Sequence, residues 1–107
     1  MLAALTGARV GVMSEAANTV GAQLVGAESD KDIFAAPKKA YLLLNAEVQF
    51  DCHHAARAQA SVAAADFVVA LAPFTDGVKG YADVILPIAP FSETAGTYIN
   101  MEGRAQS

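Results

Sequence analysis

Four consecutive residues in the middle of the chain, Asp51, Cys52, His53 and His54, carry a carboxylate, a thiol and two imidazoles. Adjacent residues on a helix point about 100° apart, whereas chelation favours residues four positions apart on one face. Residues 56–58, which would share that face, are two alanines and an arginine. No metal site is therefore expected, and the segment predicts the start of a helix with Asp51 as its N-cap.

Cys52 is the only cysteine, which excludes an internal disulfide and a multi-cysteine zinc or iron–sulfur site within this sequence. A helix N-terminus lowers the pKa of a thiol, so a nucleophilic role is one interpretation. No base with an orienting residue follows from the pattern. An unreactive Cys52 is favoured.

A strand-to-helix step, GVMSEAANTVGA, could direct backbone N–H groups at a phosphate. It lacks the glycine spacing of dinucleotide and triphosphate loops, so a tight turn with a packing role is favoured. If a nucleotide binds, the candidates for contacting it are Ser14, Glu15, Asn18 and Thr75.

A polar set near the C-terminus comprises Glu93, Thr97, Asn100, Glu102 and Arg104. A paired-carboxylate hydrolase is conceivable, but extended chain between the two glutamates fixes no distance between them. The favoured interpretation is structural: these side chains hold an irregular terminal segment. An exposed Glu102–Arg104 pair would contribute little to stability.

Hydrophobic periodicity predicts alternating strands and helices. Apolar runs predict four strands, and small-residue segments predict helices, the first capped by Ser14 or Asn18. The predicted strands are Ala8–Met13, Ala40–Leu44, Asp66–Pro73 and Ala82–Leu86, and the predicted helices are Ala16–Ala27 and Cys52–Ala65.

This order indicates one α/β domain over residues 1–107: a doubly wound, mostly parallel sheet of about four strands with helices on both faces. Ligands of such sheets bind at the carboxyl ends of the strands. The loops expected there are Ser14–Asn18, Asn45–Asp51, Pro73–Lys79 and Pro87–Ala95.

Charge and hydropathy restrict the partners. The formal charge is −4 and the basic residues form no cluster larger than Lys38–Lys39, so nucleic acid is not an expected partner. The longest apolar runs are far shorter than the roughly 20 residues that span a bilayer, and no basic segment precedes an apolar run at the N-terminus. We expect a soluble, intracellular chain without direct membrane insertion.

The run ADVILPIAPFSETAGTYINMEGRAQS (Ala82–Ser107) resembles the molybdopterin-oxidoreductase superfamily, whose members carry A-D-V-x-L-P followed by E, G-T and N-x-E-G-R-x-Q. Within it, the chain is most similar to the family of the G-type (75-kDa-type) subunits of bacterial NADH-quinone oxidoreductase, respiratory complex I. Three more stretches agree: Gly11–Ala22, Lys39–Glu47 and Asp66–Phe74.

The resemblance implies a carboxyl-side fragment of a molybdopterin-oxidoreductase-like domain that has lost the molybdenum cofactor. The parent subunit would carry electrons from NADH towards quinone through iron–sulfur clusters outside this segment. The fragment itself would bind no cofactor and catalyse nothing. Its partners would be other domains of the same subunit and neighbouring complex I subunits, in the cytoplasm at the periphery of the bacterial inner membrane.

Two alternatives stay open. The parent could be an active molybdopterin guanine dinucleotide enzyme similar to formate dehydrogenase, with Ser14–Asn18 and Pro73–Lys79 lining the nucleotide. The chain could instead be a self-contained flavodoxin-like binding module. A fragment deprived of its neighbours is expected to expose an apolar patch of more than a few hundred Å² and to self-associate.

Overall fold

The computed structural model describes residues 2–11, 13–14, 16–27, 29 and 31–107. The chain forms two compact units. One is contiguous, Asp30–Thr94, and the other joins Met1–Ser29 to Ala95–Ser107. In the described part of the chain, no helix has the length and apolar character required to cross a membrane.

The contiguous unit is built on a three-stranded parallel sheet of order β1-β2-β3. Its elements are β1 (Ala40–Leu44), α3 (Val48–Asp51), α4 (Ala55–Ala63), β2 (Phe67–Ala72), β3 (Val84–Pro87) and a 3₁₀ turn (Phe91–Glu93). The predicted α/β class is thus confirmed, with three strands in this sheet where about four were expected.

One face of this sheet forms the core. The parallel register aligns Tyr41 with Val68 and Leu43 with Ala70, so all four side chains lie on the same face. Val62 of α4 packs with Tyr41, Leu43 and Val68 in one cluster. These four side chains and Ala70 are each at most 8% exposed. Burial of these apolar side chains, at about 25 cal/mol per Å², is what holds the helices to the sheet.

The opposite face of the sheet is open. Leu42 and Leu44 alternate along β1 with the buried residues and are 71% and 67% exposed. Phe67, Val84 and Leu86 of the other two strands are also exposed. The helices of this unit therefore cover one face, and an apolar surface, here called the open face (Leu42, Leu44, Phe67, Val84 and Leu86), remains.

The strand predicted at Ala8–Met13 is wrong for its described residues, 8–11 and 13, which have no regular secondary structure. Val10 is 77% exposed. A short apolar run becomes a buried strand only where a neighbouring strand pairs with it, and the run itself does not specify that neighbour. The pattern did not predict helix α1 (Leu2–Thr6), which belongs to the unit that joins Met1–Ser29 to Ala95–Ser107. Gly7 follows this helix with φ = +69°.

The predicted helix boundaries also shift. The predicted helix Ala16–Ala27 is α2 (Thr19–Leu24), six residues long. The N-cap assignment of Asp51 is wrong: Asp51 ends α3, and its Oδ2 accepts a 2.6 Å hydrogen bond from the backbone N–H of Glu47. The carboxylate thus satisfies a free donor at the start of its own helix, and α4 begins after His54 instead.

Neighbouring leucines on the two faces of β1 make a matched pair for testing this architecture. We expect Leu43→Ala to lower the free energy of unfolding by about 2–5 kcal/mol, because it leaves a cavity in the core. Leu42→Ala removes the same atoms from an exposed position and should change the free energy of unfolding by about 0.5 kcal/mol or less. Urea denaturation followed by circular dichroism measures both, and equal losses would contradict the assignment of faces.

Candidate functional site

The carboxyl ends of β1 and β2 flank a cleft of about 480 Å³. Asn45, directly after β1, turns the chain with φ = 49°, a left-handed conformation that asparagine tolerates better than most residues. Its N–H donates to the carbonyl of Leu71 at 2.8 Å, which ties the turn to β2. The residues lining the cleft are Glu47, Gln49, Phe50, Phe74, Asp76 and Gly77.

Two loops meet closely at this cleft. Gln49 Nε2 donates to the carbonyl of Gly77 at 2.7 Å, and a Cβ on Gly77 would overlap the carboxylate of Glu47. Glycine at this position therefore permits Glu47 to lie directly against the second loop. Asp76 pairs with Lys79 at 2.7 Å, and both side chains are largely exposed.

The polar groups of this cleft are mostly acceptors. The Gln49 amide nitrogen already donates a hydrogen bond to the Gly77 carbonyl. The amide oxygen, Oε1, is buried and has no hydrogen-bond partner in the described part of the chain. Phe50 and Phe74 are 77% and 66% exposed. The sequence predicted these loops as ligand positions but none of these residues. The feature of the sequence that could have indicated this cleft is the presence of two aromatic residues, Phe50 and Phe74, in loops otherwise rich in polar and small residues.

Thr75, a nucleotide-binding candidate, lies in the loop after β2 between two residues that line this cleft and is not itself one of the lining residues. Its carbonyl accepts hydrogen bonds from the N–H groups of Val78 and Lys79, at 3.1 and 2.9 Å. These contacts form a turn and use two backbone donors that a phosphate would need. The binding role of Thr75 stays a prediction.

In the other unit, Asn18 occupies the N-cap position of α2 without capping it. Its Oδ1 accepts from the N–H of Ile99 at 2.8 Å, and its Nδ2 donates to the carbonyl of Thr97 at 3.0 Å. Both ends of the amide are therefore engaged by the terminal segment. Gly21, one turn into the helix, is buried, and a Cβ there would overlap Asn18 Oδ1.

Of the other two candidates in that loop, Glu15 lies outside the described residues. Ser14 Oγ donates to the carbonyl of Ala16 at 3.0 Å, and its N–H points at Met101 Sδ at 3.2 Å. The hydroxyl thus closes a local turn. Binding of a nucleotide by Ser14 stays a prediction.

The terminal segment forms a tight hairpin of β4 (Tyr98–Ile99) and β5 (Ala105–Gln106). Asn100 Oδ1 accepts from the N–H groups of Glu102 and Arg104, at 3.0 and 2.9 Å. The Gly103 N–H donates to the carbonyl of Asn100 at 2.9 Å, and Gly103 has φ = +80°. A type I turn followed by a left-handed glycine is a common three-residue hairpin loop.

The predicted structural set is divided between the units. Thr97, Asn100, Glu102 and Arg104 belong to the hairpin unit, whereas Glu93 ends the 3₁₀ turn of the sheet unit. The Arg104 and Glu102 side chains are 3.6 Å apart and about three-quarters exposed, a geometry that contributes at most about 1 kcal/mol. The structural role of the set stays a prediction, and the hydrogen bonds of Asn100 are consistent with it.

Cys52 follows α3 and is half-buried. Burial raises the pKa of its thiol, and the nearby carboxylates of Asp51 and Asp32 raise it further. The neutral thiol is therefore favoured near neutral pH, which disfavours both nucleophilic attack and metal ligation. Among the described residues, no group of three or more His, Cys, Asp or Glu side chains is positioned to hold a metal ion.

Comparisons with known proteins give a consistent result. The family model of molybdopterin oxidoreductase matches residues 2–107. The G subunit of NADH-quinone oxidoreductase from Streptomyces coelicolor is 40% identical over 68 residues, 64% of this chain and 8% of that protein. The mitochondrial NADH-ubiquinone oxidoreductase 78 kDa subunit of Neurospora crassa is 33% identical over 95 residues, 89% of this chain and 12% of that protein. No solved structure matches significantly.

Because Asn18 contacts Gly21, we expect the substitution Gly21→Ala to change the free energy of unfolding in the direction opposite to the usual one. Gly→Ala inside a helix normally stabilises it by about 1 kcal/mol. We expect Gly21→Ala to lower the free energy of unfolding instead, by about 1–3 kcal/mol, because it displaces an amide that makes two hydrogen bonds.

The matched control for Gly21→Ala is Gln23→Ala, an exposed change in the same helix that should leave the free energy of unfolding within about 0.5 kcal/mol. Thermal denaturation followed by circular dichroism compares the two variants. Stabilisation by Gly21→Ala would contradict the proposed role of the Asn18 amide.

Proposed function

We propose that this chain, which belongs to the molybdopterin oxidoreductase family, is a non-catalytic structural section of a G-type subunit of NADH-quinone oxidoreductase. Both relatives are subunits of enzymes that oxidise NADH with a quinone by name, and the chain spans about a tenth of their length. The redox chemistry of the parent belongs to iron–sulfur clusters in other segments. This section serves as a scaffold for them.

The observation that carries this proposal is the open face. Five large apolar side chains on three adjacent strands are between 38% and 71% exposed, on a sheet whose other face carries the buried core of the unit. Parallel sheets occur almost only with both faces covered, and contiguous exposed apolar surface marks a contact site. We infer that other domains of the same subunit, or neighbouring subunits, cover the open face.

The residues of this chain fit a molybdopterin guanine dinucleotide poorly. Its pyrophosphate needs N–H or cationic donors, but the Asn18 amide and the Val78 and Lys79 N–H groups are already engaged. The Lys79 ammonium pairs with Asp76, and the nearby cleft carries the carboxylate of Glu47. The raised pKa of the Cys52 thiol makes its deprotonation by a metal ion more costly. These features support a section without catalysis.

The proposed location follows from the proposed assembly. A subunit of this kind lies in the cytoplasm at the periphery of the bacterial inner membrane, held there by its neighbours. The chain contributes contacts between polypeptides, with no nucleic acid and no insertion into the bilayer.

Charge placed on the open face tests the proposed contact surface. We expect the chain to self-associate, and the double variant Leu42→Lys/Leu86→Lys to be monomeric, because the lysines make burial of that face costly. The control Ala56→Lys/Gln59→Lys adds the same charge on exposed positions of α4 and should behave as the original chain. Size-exclusion chromatography with light scattering measures the masses. A monomeric original chain, or equal masses for both variants, would argue against the proposal.

Nucleotide titration separates the scaffold from both alternatives. We expect isothermal titration calorimetry with FMN, GDP and GMP to show no saturable binding at concentrations up to about 100 µM, because the Asn18 amide and the N–H groups of Val78 and Lys79 are engaged. Saturable micromolar binding of FMN would favour a flavodoxin-like module. Saturable binding of GDP, lost on Asn18→Ala or Lys79→Ala, would favour part of an active molybdopterin enzyme.

A further inference from the structure

We propose that the cleft at the carboxyl ends of β1 and β2 binds an arginine side chain of a partner polypeptide. This surface is distinct from the open face in its residues and in its chemistry. It consists of two loop segments, 45–51 and 73–77, that both follow strands of the sheet.

The cleft offers aromatic faces to solvent. Phe50 and Phe74 line it and are 77% and 66% exposed, although each ring would bury a large apolar area if covered. An exposed ring attracts a cation placed over its face, and arginine does this more often than lysine because its planar group also stacks. Two such rings in one cleft therefore favour a flat, cationic group.

The polar groups of the cleft call for hydrogen-bond donors. Glu47 contributes a carboxylate, held against Gly77 by close packing. Gln49 Oε1 is a buried acceptor without a partner among the described residues, since the amide nitrogen is bound to the Gly77 carbonyl. A guanidinium carries five donors and no acceptor, so it complements this imbalance, whereas a carboxylate or phosphate would be repelled.

Among the described charged groups that face the cleft, one carboxylate has no compensating cation. Asp51 is engaged with the Glu47 N–H, and Asp76 pairs with Lys79. That pair is exposed on both sides, at 66% and 89% of the side chains, so its net contribution to stability is small, and its two charges offset each other. Glu47 carries the uncompensated charge that an arginine would neutralise. The volume of about 480 Å³ accommodates one such side chain with its aliphatic stem.

The probes for this proposal are N-acetyl-arginine amide and N-acetyl-lysine amide, titrated into ¹⁵N-labelled chain. We expect the arginine probe to shift the amide resonances of residues 47–50 and 74–77 saturably, with a millimolar Kd because a single side chain supplies all the contacts. The lysine probe should bind at least about threefold more weakly, since it cannot stack. Raising the salt concentration should weaken both.

Two variants address the two parts of the cleft. Glu47→Gln removes the charge and Phe74→Ala removes one ring, and each should weaken binding of the arginine probe by about three- to tenfold, which corresponds to about 0.7–1.4 kcal/mol. The control Glu93→Gln removes one carboxylate from the 3₁₀ turn of the same unit and should leave the Kd unchanged. If Phe74→Ala fails to fold, Glu47→Gln still decides the question.

Three results with the arginine and lysine probes would overturn the proposal. They are shifts that do not saturate, equal affinity for the two probes, and Kd values for Glu47→Gln and Phe74→Ala equal to that of the original chain. Saturable binding of GMP at the same amide resonances, tighter than the arginine probe, would assign the cleft to a nucleotide instead. None of these outcomes depends on the mass of the chain in solution, so this test and that of the open face fail separately.

Discussion

The pairing of β2 with a parallel neighbour on each edge is the constraint on which the sheet unit depends. Val68, Ala70 and Ala72 are 1–3% exposed, and β1 and β3 are placed by their register with this strand. Because the three strands run the same way, the loops that follow β1 and β2 emerge together at one edge. The cleft between Glu47 and Phe74 exists for this reason, and so does the common surface formed by Leu42, Leu44 and Leu86 on the other face.

Strongly apolar segments were the part of the fold that the sequence could predict. The β1 prediction, Ala40–Leu44, agrees with the structure at both ends, and the β2 prediction differs by one residue at each end. The apolar run at Ala8–Met13 has a similar composition but pairs with no strand in its described residues, because pairing depends on a partner that local composition does not encode. Composition predicts that a segment can be buried, and tertiary contact decides whether it is.

The candidate site was harder to predict than the fold because a polar side chain can form its hydrogen bonds with several alternative partners. Asp51 was expected to cap a following helix, and Asn18 was one of two candidates, with Ser14, for the cap of the first predicted helix. Asp51 instead bonds the N–H of Glu47, four residues earlier, and Asn18 bonds the backbone on both sides of Tyr98. Cap propensity is a local property, whereas these bonds depend on where distant chain segments arrive. Phe50 and Phe74 were missed because an aromatic residue in a loop carries no spacing signal.

The Asn18 amide, with its donor and acceptor both bound to the terminal segment, has a consequence for the order of folding during synthesis. Its partners are 79 and 81 residues away in the chain, so closing this contact costs more loop entropy than any contact between sheet neighbours. The sheet unit is contiguous and has emerged once Thr94 has left the ribosome, whereas the hairpin unit joins a segment that precedes it to a segment that follows it. Vectorial synthesis therefore favours a sheet that assembles first and a hairpin unit that forms only when residues 95–107 have also emerged.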